Sequence, residues 1–278
     1  MSELGAAAAA LRLLDLAARA ESAFLWVAAD ARAAGRRLLG CTAGAGNALE
    51  VTGTLGDPDS DRAAVELGLR ALAGDANVAE GLHRLAGGEA YLELHHPAPE
   101  LVIVGAGHVA QPLAEVGVLL GMAVTVLDDR PEFATRERFP SAARVLRVDL
   151  GDPFRTVRIH AASHLVLVTR GHKHDFEALR RLLAMETEPA YLGMIGSRRR
   201  VRATFTKLLE DGVEPARLAR VRAPIGLDLG AETPAEIAVA VAGEIVLLRR
   251  GGSGAPLRDV EGVLERFFPA PPVPAEEV

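Results

Sequence analysis

The chain has 278 residues, is 49% hydrophobic and 24% charged, and carries a net charge of −6. That length suits two globular units of roughly 150 residues each, and the sign of the charge argues against a general nucleic-acid or membrane-surface binder. Cys41 is the only cysteine, which excludes an internal disulfide and a cysteine-based zinc site and points to a reducing cytoplasm.

Residues 3–20 have the spacing of an amphipathic helix, with Leu11, Leu14 and Ala18 on one apolar stripe. Residues 6–10 follow Glu3 with no basic segment before them, so the alanine run reads as helix and not as a signal peptide. A short strand is predicted at 24–28. Residues 35–56 are rich in glycine, with strands near 37–39 and 49–54. A helix over 63–72 stops near Gly74, and a strand follows at 90–94. His96-Pro97-Ala98-Pro99 has linker composition. Residues 1–97 are therefore expected to form a small α+β domain.

From 98 to 250 the pattern alternates. Strands are predicted at 101–104, 123–127, 143–148, 164–169 and 190–195, and helices at 108–120, 174–185, 198–210 and 234–249. Such alternation implies an α/β, Rossmann-like domain with a parallel sheet covered on both faces. Thr233, Pro234 and Glu236 form a capping box at the start of the last helix. The longest apolar run, 116–127, is too short to cross a bilayer. Residues 251–278 read as a tail with a short helix near 257–267.

The window 99–130 carries the strongest motif. An apolar strand ends at Gly105-x-Gly107-x-x-Ala110, a helix follows, and a second strand ends in Asp128-Asp129. This is the dinucleotide-binding βαβ fingerprint. Gly105 permits the tight turn, Gly107 lets the backbone approach a pyrophosphate, and Ala110 allows helix and strand to pack closely. The free N–H groups at the helix start attract anions. Asp128 follows Gly105 by 23 positions, near the offset of about 20 for a carboxylate that bonds ribose hydroxyls. Pro112 must lie in the first helical turn or distort the helix.

Ligands of open parallel sheets bind beyond the carboxyl ends of the strands, and four segments should meet there. The first is the glycine turn with His108, placed to donate to a phosphate oxygen. The second is Asp128-Asp129-Arg130, in which one carboxylate faces a ligand, the other caps a turn, and Arg130 either receives phosphate or neutralises the pair. The third contains Thr169, Arg170, Gly171 and His172, with an anion or cofactor contact expected from Thr169, Arg170 and His172. His172 and His174 have an H-x-H spacing, but no second cluster supports a metal, and none is assigned. The fourth is Gly196-Ser197-Arg198-Arg199-Arg200, where arginines open a helix at the end whose dipole already favours anions. No nucleophile–base pair is visible, so no catalytic residue is assigned.

The segments LVIVGAGHVAQPLA, VTVLDDRPEFATRERFP, VTRGHKHD, YLGMIGSRRR and PIGLDLGAETPAEIAVAVAGEI resemble the XdhC/CoxF family of maturation factors for xanthine dehydrogenase, carbon monoxide dehydrogenase and related molybdenum hydroxylases. The resemblance covers roughly residues 90–250. It implies a small N-terminal domain before a Rossmann domain, often in a dimer. It also implies binding of molybdenum cofactor, in its molybdopterin or dinucleotide form, sulfuration by a cysteine desulfurase, and delivery to the apo-enzyme of a molybdenum hydroxylase. This is the role of a delivery chaperone more than of a catalyst. The matching positions are 105–109, Asp128-Asp129-Arg130, Thr169-Arg170-Gly171-His172, 193–199, 224–230 and Glu232-Thr233-Pro234.

The N-terminal region departs from the family pattern. Arg32–Leu39 and Gly53–Asp57 are weak counterparts of its motifs, and Cys41 is not at the family cysteine position, so Cys41 reads as a small core hydrophobe. The alternative from the βαβ unit alone is an NAD(P)-dependent oxidoreductase, with Asp128 favouring NAD.

Overall fold

A computed structural model describes residues 3–19, 21–30, 33–43 and 48–267, which build two five-stranded sheets. The first comprises β1 (Ala23–Ala28), β2 (Arg37–Ala43), β3 (Ala48–Gly53), β4 (Gly81–Leu85) and β5 (Gly88–His95), in the order β3-β2-β1-β5-β4. All of its pairings are antiparallel. Strand alternation divides its side chains between two helices. Phe24, Trp26 and Leu38 pack with Ala64 and Ala71 of α2 (Pro58–Leu72). Leu25, Leu39 and Cys41 pack with Ala9 and Leu16 of α1 (Ala6–Ala18). Gly68 lets α2 sit directly on the Phe24 ring, where a Cβ would lie 2.5 Å from the ring carbons.

Three details differ from the sequence expectations. In α1 the inward residues are Ala9 and Leu16, whereas Leu11 and Leu14 are each 68% exposed; the small Ala9 permits a closer approach to the sheet than the leucine stripe would. The start of α2 lies at Pro58, set by Asp57, whose carboxylate accepts from Ser60 N at 2.8 Å as an N-cap does. Strand β4 is absent from the sequence expectations, because Gly-Leu-His-Arg-Leu offers little apolar alternation; it forms by pairing with β5. Ala20 of the predicted first helix and Arg32 of the weak motif counterpart lie outside the described residues.

The second sheet comprises β6 (Glu100–Val104), β7 (Ala123–Asp128), β8 (Arg144–Arg147), β9 (Ser163–Leu167) and β10 (Tyr191–Met194). The order is β8-β7-β6-β9-β10, parallel throughout. Next to β10, Arg222 makes one further parallel bridge, with Met194 N and Arg222 N donating across it at 2.9 Å. Leu101 and Ile103 face α3 (Ala110–Leu119) and α7 (Pro234–Arg250), while Val102 and Val104 face α4 (His172–Ala184) and α5 (Arg198–Glu210). Both faces of β6 are thus covered, which explains its uninterrupted apolar run.

The α/β class with a Rossmann-like parallel sheet and a smaller antiparallel unit agrees with the sequence expectation. The capping box at Thr233 is present in full. Pro112 falls in the first turn of α3 and costs no helical hydrogen bond. After α6 (Pro215–Leu218) and α7, the predicted tail helix is divided at Gly262 (φ 54°) into α8 (Leu257–Glu261) and α9 (Val263–Phe267). Residues 268–278 of the expected tail lie outside the described residues. No helix of the described residues is long and apolar enough to cross a membrane.

Candidate functional site

Strand order reverses at β6, the central strand, with β7 on one side and β9 on the other. Val104 is in register with both Leu127 and Leu167. The three strands therefore end at one level, and the residues that follow them meet in the crevice where such folds bind ligands.

Gly105 has φ 107°, and a Cβ there would lie 2.6 Å from the Val168 carbonyl oxygen. Only glycine can make this turn beside β9. At Gly107 the missing Cβ points into open space, as it does at Gly171. Gly105 is a requirement of the fold, whereas Gly107 leaves room above the amino terminus of α3. His108 is exposed beside it, and Ala110 is fully buried against the sheet.

The two aspartates are both engaged. Asp128 is 1% exposed and accepts four hydrogen bonds: from Ala106 N at 2.7 Å, Arg130 N at 2.9 Å, Arg130 Nε at 2.9 Å and Arg130 Nη2 at 2.8 Å. Burial alone would raise its pKa, but the bonds from Arg130 and then from Ala106 prevail and hold the carboxyl well below its ordinary range. Arg130 neutralises this carboxylate and stacks on Phe133, 3.6 Å from the ring centroid. Asp129 forms a bidentate pair with Arg170, two bonds of 2.8 Å. Because β6 lies between β7 and β9, this pair spans the carboxyl end of β6.

The third and fourth segments are joined by a buried triad. The Thr169 hydroxyl donates to Asp175 Oδ1 at 2.6 Å and accepts from Arg200 Nη2 at 3.0 Å, and Arg200 Nε donates to Asp175 Oδ2 at 2.6 Å. Asp175 is fully buried, and burial raises its pKa in spite of the bonds from Thr169 and Arg200. Arg200 thus turns inward and ties α5 to the end of β9. Thr169 is committed to this triad. Ser197 caps α5. Arg198, Arg199 and His172 are exposed, and Gly171 and Gly196 are half-buried.

Arg138 and Phe133 also reach the site, and sequence reasoning misses both. Arg138 donates to Gln111 Oε1 at 2.9 Å, approaches the Ala106 carbonyl at 3.4 Å and stacks against Phe133. The available signal is the missing helix between β7 and β8: residues 129–143 are turns, free to fold back over α3. Arg138, Arg198 and Arg199 form no ion pair among the described residues, while Arg130, Arg170 and Arg200 each hold one aspartate. The crevice combines the amino terminus of α3, open space over Gly107 and the guanidinium group of Arg138, which holds no carboxylate among the described residues, a donor set suited to a phosphate-bearing anion. No group of three or more His, Cys, Asp or Glu among the described residues is placed to hold a metal ion.

Residues 101–245 match the family model for the XdhC Rossmann domain. The chain belongs to the XdhC family. The match runs from the glycine turn through the arginine run into α7, which it covers as far as residue 245. An Escherichia coli (strain K12) relative, "Uncharacterized protein YqeB", is 32% identical over 73% of this XdhC chain and 39% of its own length. A probable xanthine dehydrogenase subunit from Bacillus subtilis (strain 168) is 31% identical over 58% of this chain and 46% of its own length. The matched region is under half the length of these curated relatives. Among solved structures, one described as a xanthine dehydrogenase from Bacillus halodurans shares the fold, with a TM-score of 0.59 at 23% identity, over 90% of this chain and 66% of that one.

Proposed function

We propose that this XdhC-family chain is a maturation factor that binds molybdenum cofactor in the crevice at the end of β6 and delivers it to the apo-enzyme of a xanthine dehydrogenase-type molybdenum hydroxylase. The observation that carries the reading is the glycine turn at the strand-order reversal, with Arg138 against the Ala106 carbonyl and the Arg170–Asp129 pair beside it, within the stretch that matches the XdhC Rossmann domain. Molybdenum cofactor is an anionic pterin. Backbone N–H groups over Gly107 and the arginines would hold its phosphate, with His108, His172 and Ser197 at the rim. The bound cofactor supplies the oxygen-transfer chemistry of the client enzyme, and this chain's residues bind, orient and shield it.

Sulfuration is assigned to a partner cysteine desulfurase. Cys41 is buried in the α1 side of the antiparallel sheet, and burial, then the nearby Glu50, pushes its thiol pKa up. A sulfur relay needs an exposed thiol with a lowered pKa. A cytoplasmic homodimer, with residues 1–97 and 98–250 as separate domains, completes the proposal. The oxidoreductase alternative has less support, because the carboxylate that would receive the NAD ribose, Asp128, has about four acceptor positions and all four are used.

The test is co-expression with the cofactor biosynthetic enzymes, followed by oxidation of the purified protein and measurement of pterin fluorescence and molybdenum. Pterin and molybdenum in near-equal amounts are expected. A protein free of both, able to pass hydride from NADH, would overturn the reading.

A further inference from the structure

We infer that a cavity at the amino end of β10 is a second binding site, which takes a small monocarboxylate with an apolar body. It lies at the opposite end of the parallel sheet from the crevice and does not depend on the cofactor reading.

Strand β10 begins at Tyr191. Beside that residue, the turn that follows α4, the segment 219–222 and the last part of α7 enclose a cavity of about 480 Å³. The volume lies in the range of small-molecule sites, roughly 300–1,000 Å³. Much of the lining is apolar. Leu183 and Leu192 are buried, Met185 is half-buried, and Leu248 of α7 is left 43% exposed at the edge.

The charges of the lining do not cancel. Glu188 is taken up by an ion pair with Arg220. Arg222 forms no ion pair among the described residues, and its charge reaches the Tyr191 hydroxyl. The main chain of Arg222 is fixed by its bridge to β10, so the root of this side chain is held at the cavity wall. Tyr191 donates to Glu244 Oε2, which also accepts from Gly226 N at 2.9 Å. Burial, then Glu244, pushes the tyrosine pKa up, so the ring adds no negative charge to the wall.

A guanidinium without a carboxylate, set beside apolar side chains, matches both parts of an amphipathic acid. Its fork receives the carboxylate in two parallel bonds, and the leucines and methionine cover the hydrocarbon body. A nucleotide, polar along its length, leaves the leucines uncovered. An alcohol of the same length leaves Arg222 unpaired.

The test is calorimetric titration of decanoate into the full chain, with decanol and decyltrimethylammonium as neutral and cationic counterparts. Saturable binding of decanoate is expected, with decanol roughly tenfold weaker, equivalent to about 1.4 kcal/mol, and the cation not bound. Arg222→Gln removes the charge from an exposed side chain, and Leu248→Asp places a carboxylate at the edge. Each should weaken decanoate binding roughly tenfold or more and leave the denaturant midpoint near that of wild type. Leu248→Ser serves if Leu248→Asp does not fold. No saturable binding to the wild-type chain, equal binding of decanol, or undiminished binding in either folded variant overturns the inference.

Discussion

The two ends of the parallel sheet each bury a carboxylate, and they use it differently. At the amino end, Glu100 accepts from Arg144 at 2.8 Å and from Thr125 at 3.1 Å, with His160 at 3.3 Å and Ser163 at 3.4 Å. Burial would raise its pKa, but His160, Arg144 and Thr125 together hold it down. At the carboxyl end, Asp128 is equally saturated, yet beside it lie an open glycine turn, the amino terminus of α3 and Arg138, which forms no ion pair among the described residues. A closed set of donors and acceptors serves the fold. Donors beside open space leave room for the proposed ligand. Substitutions at the amino end should therefore cost stability alone, whereas those at the carboxyl end should separate stability from binding.

The largest effect is expected within the glycine turn itself. Gly105→Val forces a side chain at φ 107° into the Val168 carbonyl and should cost roughly 3 kcal/mol or more, read from the denaturant midpoint. At Gly107 an added Cβ has no atom within 4 Å, so Gly107→Val should stay within about 0.5 kcal/mol of wild type, while its pterin content after co-expression falls severely. Equal destabilisation by the two variants would erase the distinction between a glycine needed by the fold and one needed by the ligand.

Next is Glu100→Gln. It removes the charge from a buried cluster and should cost about 2 kcal/mol, with pterin content unchanged. Loss of pterin in a folded Glu100→Gln protein would mean that the amino end also serves the ligand.

A smaller effect concerns pH. His164, on β9, is buried and stacked beside Tyr191, and burial holds its pKa below the ordinary 6.5. A group that resists protonation in the fold contributes stability that is complete above 6.5 and is lost as pH falls through 6.5 toward the folded value. The melting temperature should therefore drop between about pH 7 and pH 5, and His164→Phe, which keeps the ring contact, should flatten that slope. Glu100 and Asp128, both held low, add a further loss only below their ordinary values of 4.5 and 3.8. An unchanged slope in His164→Phe would assign the titration elsewhere.

The smallest stability change is expected at the arginine run. Arg198→Ala with Arg199→Ala removes like charges from the positive end of α5 and should shift stability by no more than about 0.5 kcal/mol, in the favourable direction. Binding of the anionic ligand should weaken and lose part of its salt dependence. Unchanged binding with lost client activation would move these arginines from the crevice to the partner surface.

Sequence alone determined the α/β class, the βαβ turn and the start of α7, because each is specified by neighbours in the chain: a strand's apolar run, a glycine at a required φ, a capping residue three positions from its partner. It also brought out most residues at the carboxyl ends of the strands, since the topology of a parallel sheet places them there. What it left open depended on contacts between distant segments. The inward face of α1 was decided by packing against β2, not by the leucine spacing. Strand β4 exists through its pairing with β5. Above all, the roles of equivalent-looking charges were set by tertiary contact: Arg200 turned in to Asp175 across 25 positions, Arg170 reached Asp129 across 41, and Arg138 came back to Gln111 across 27. A run of arginines reads the same in sequence whether each is paired or free. Only the folded geometry, in which a carboxylate either fills a guanidinium's hydrogen bonds or leaves them for a ligand, distinguishes the two.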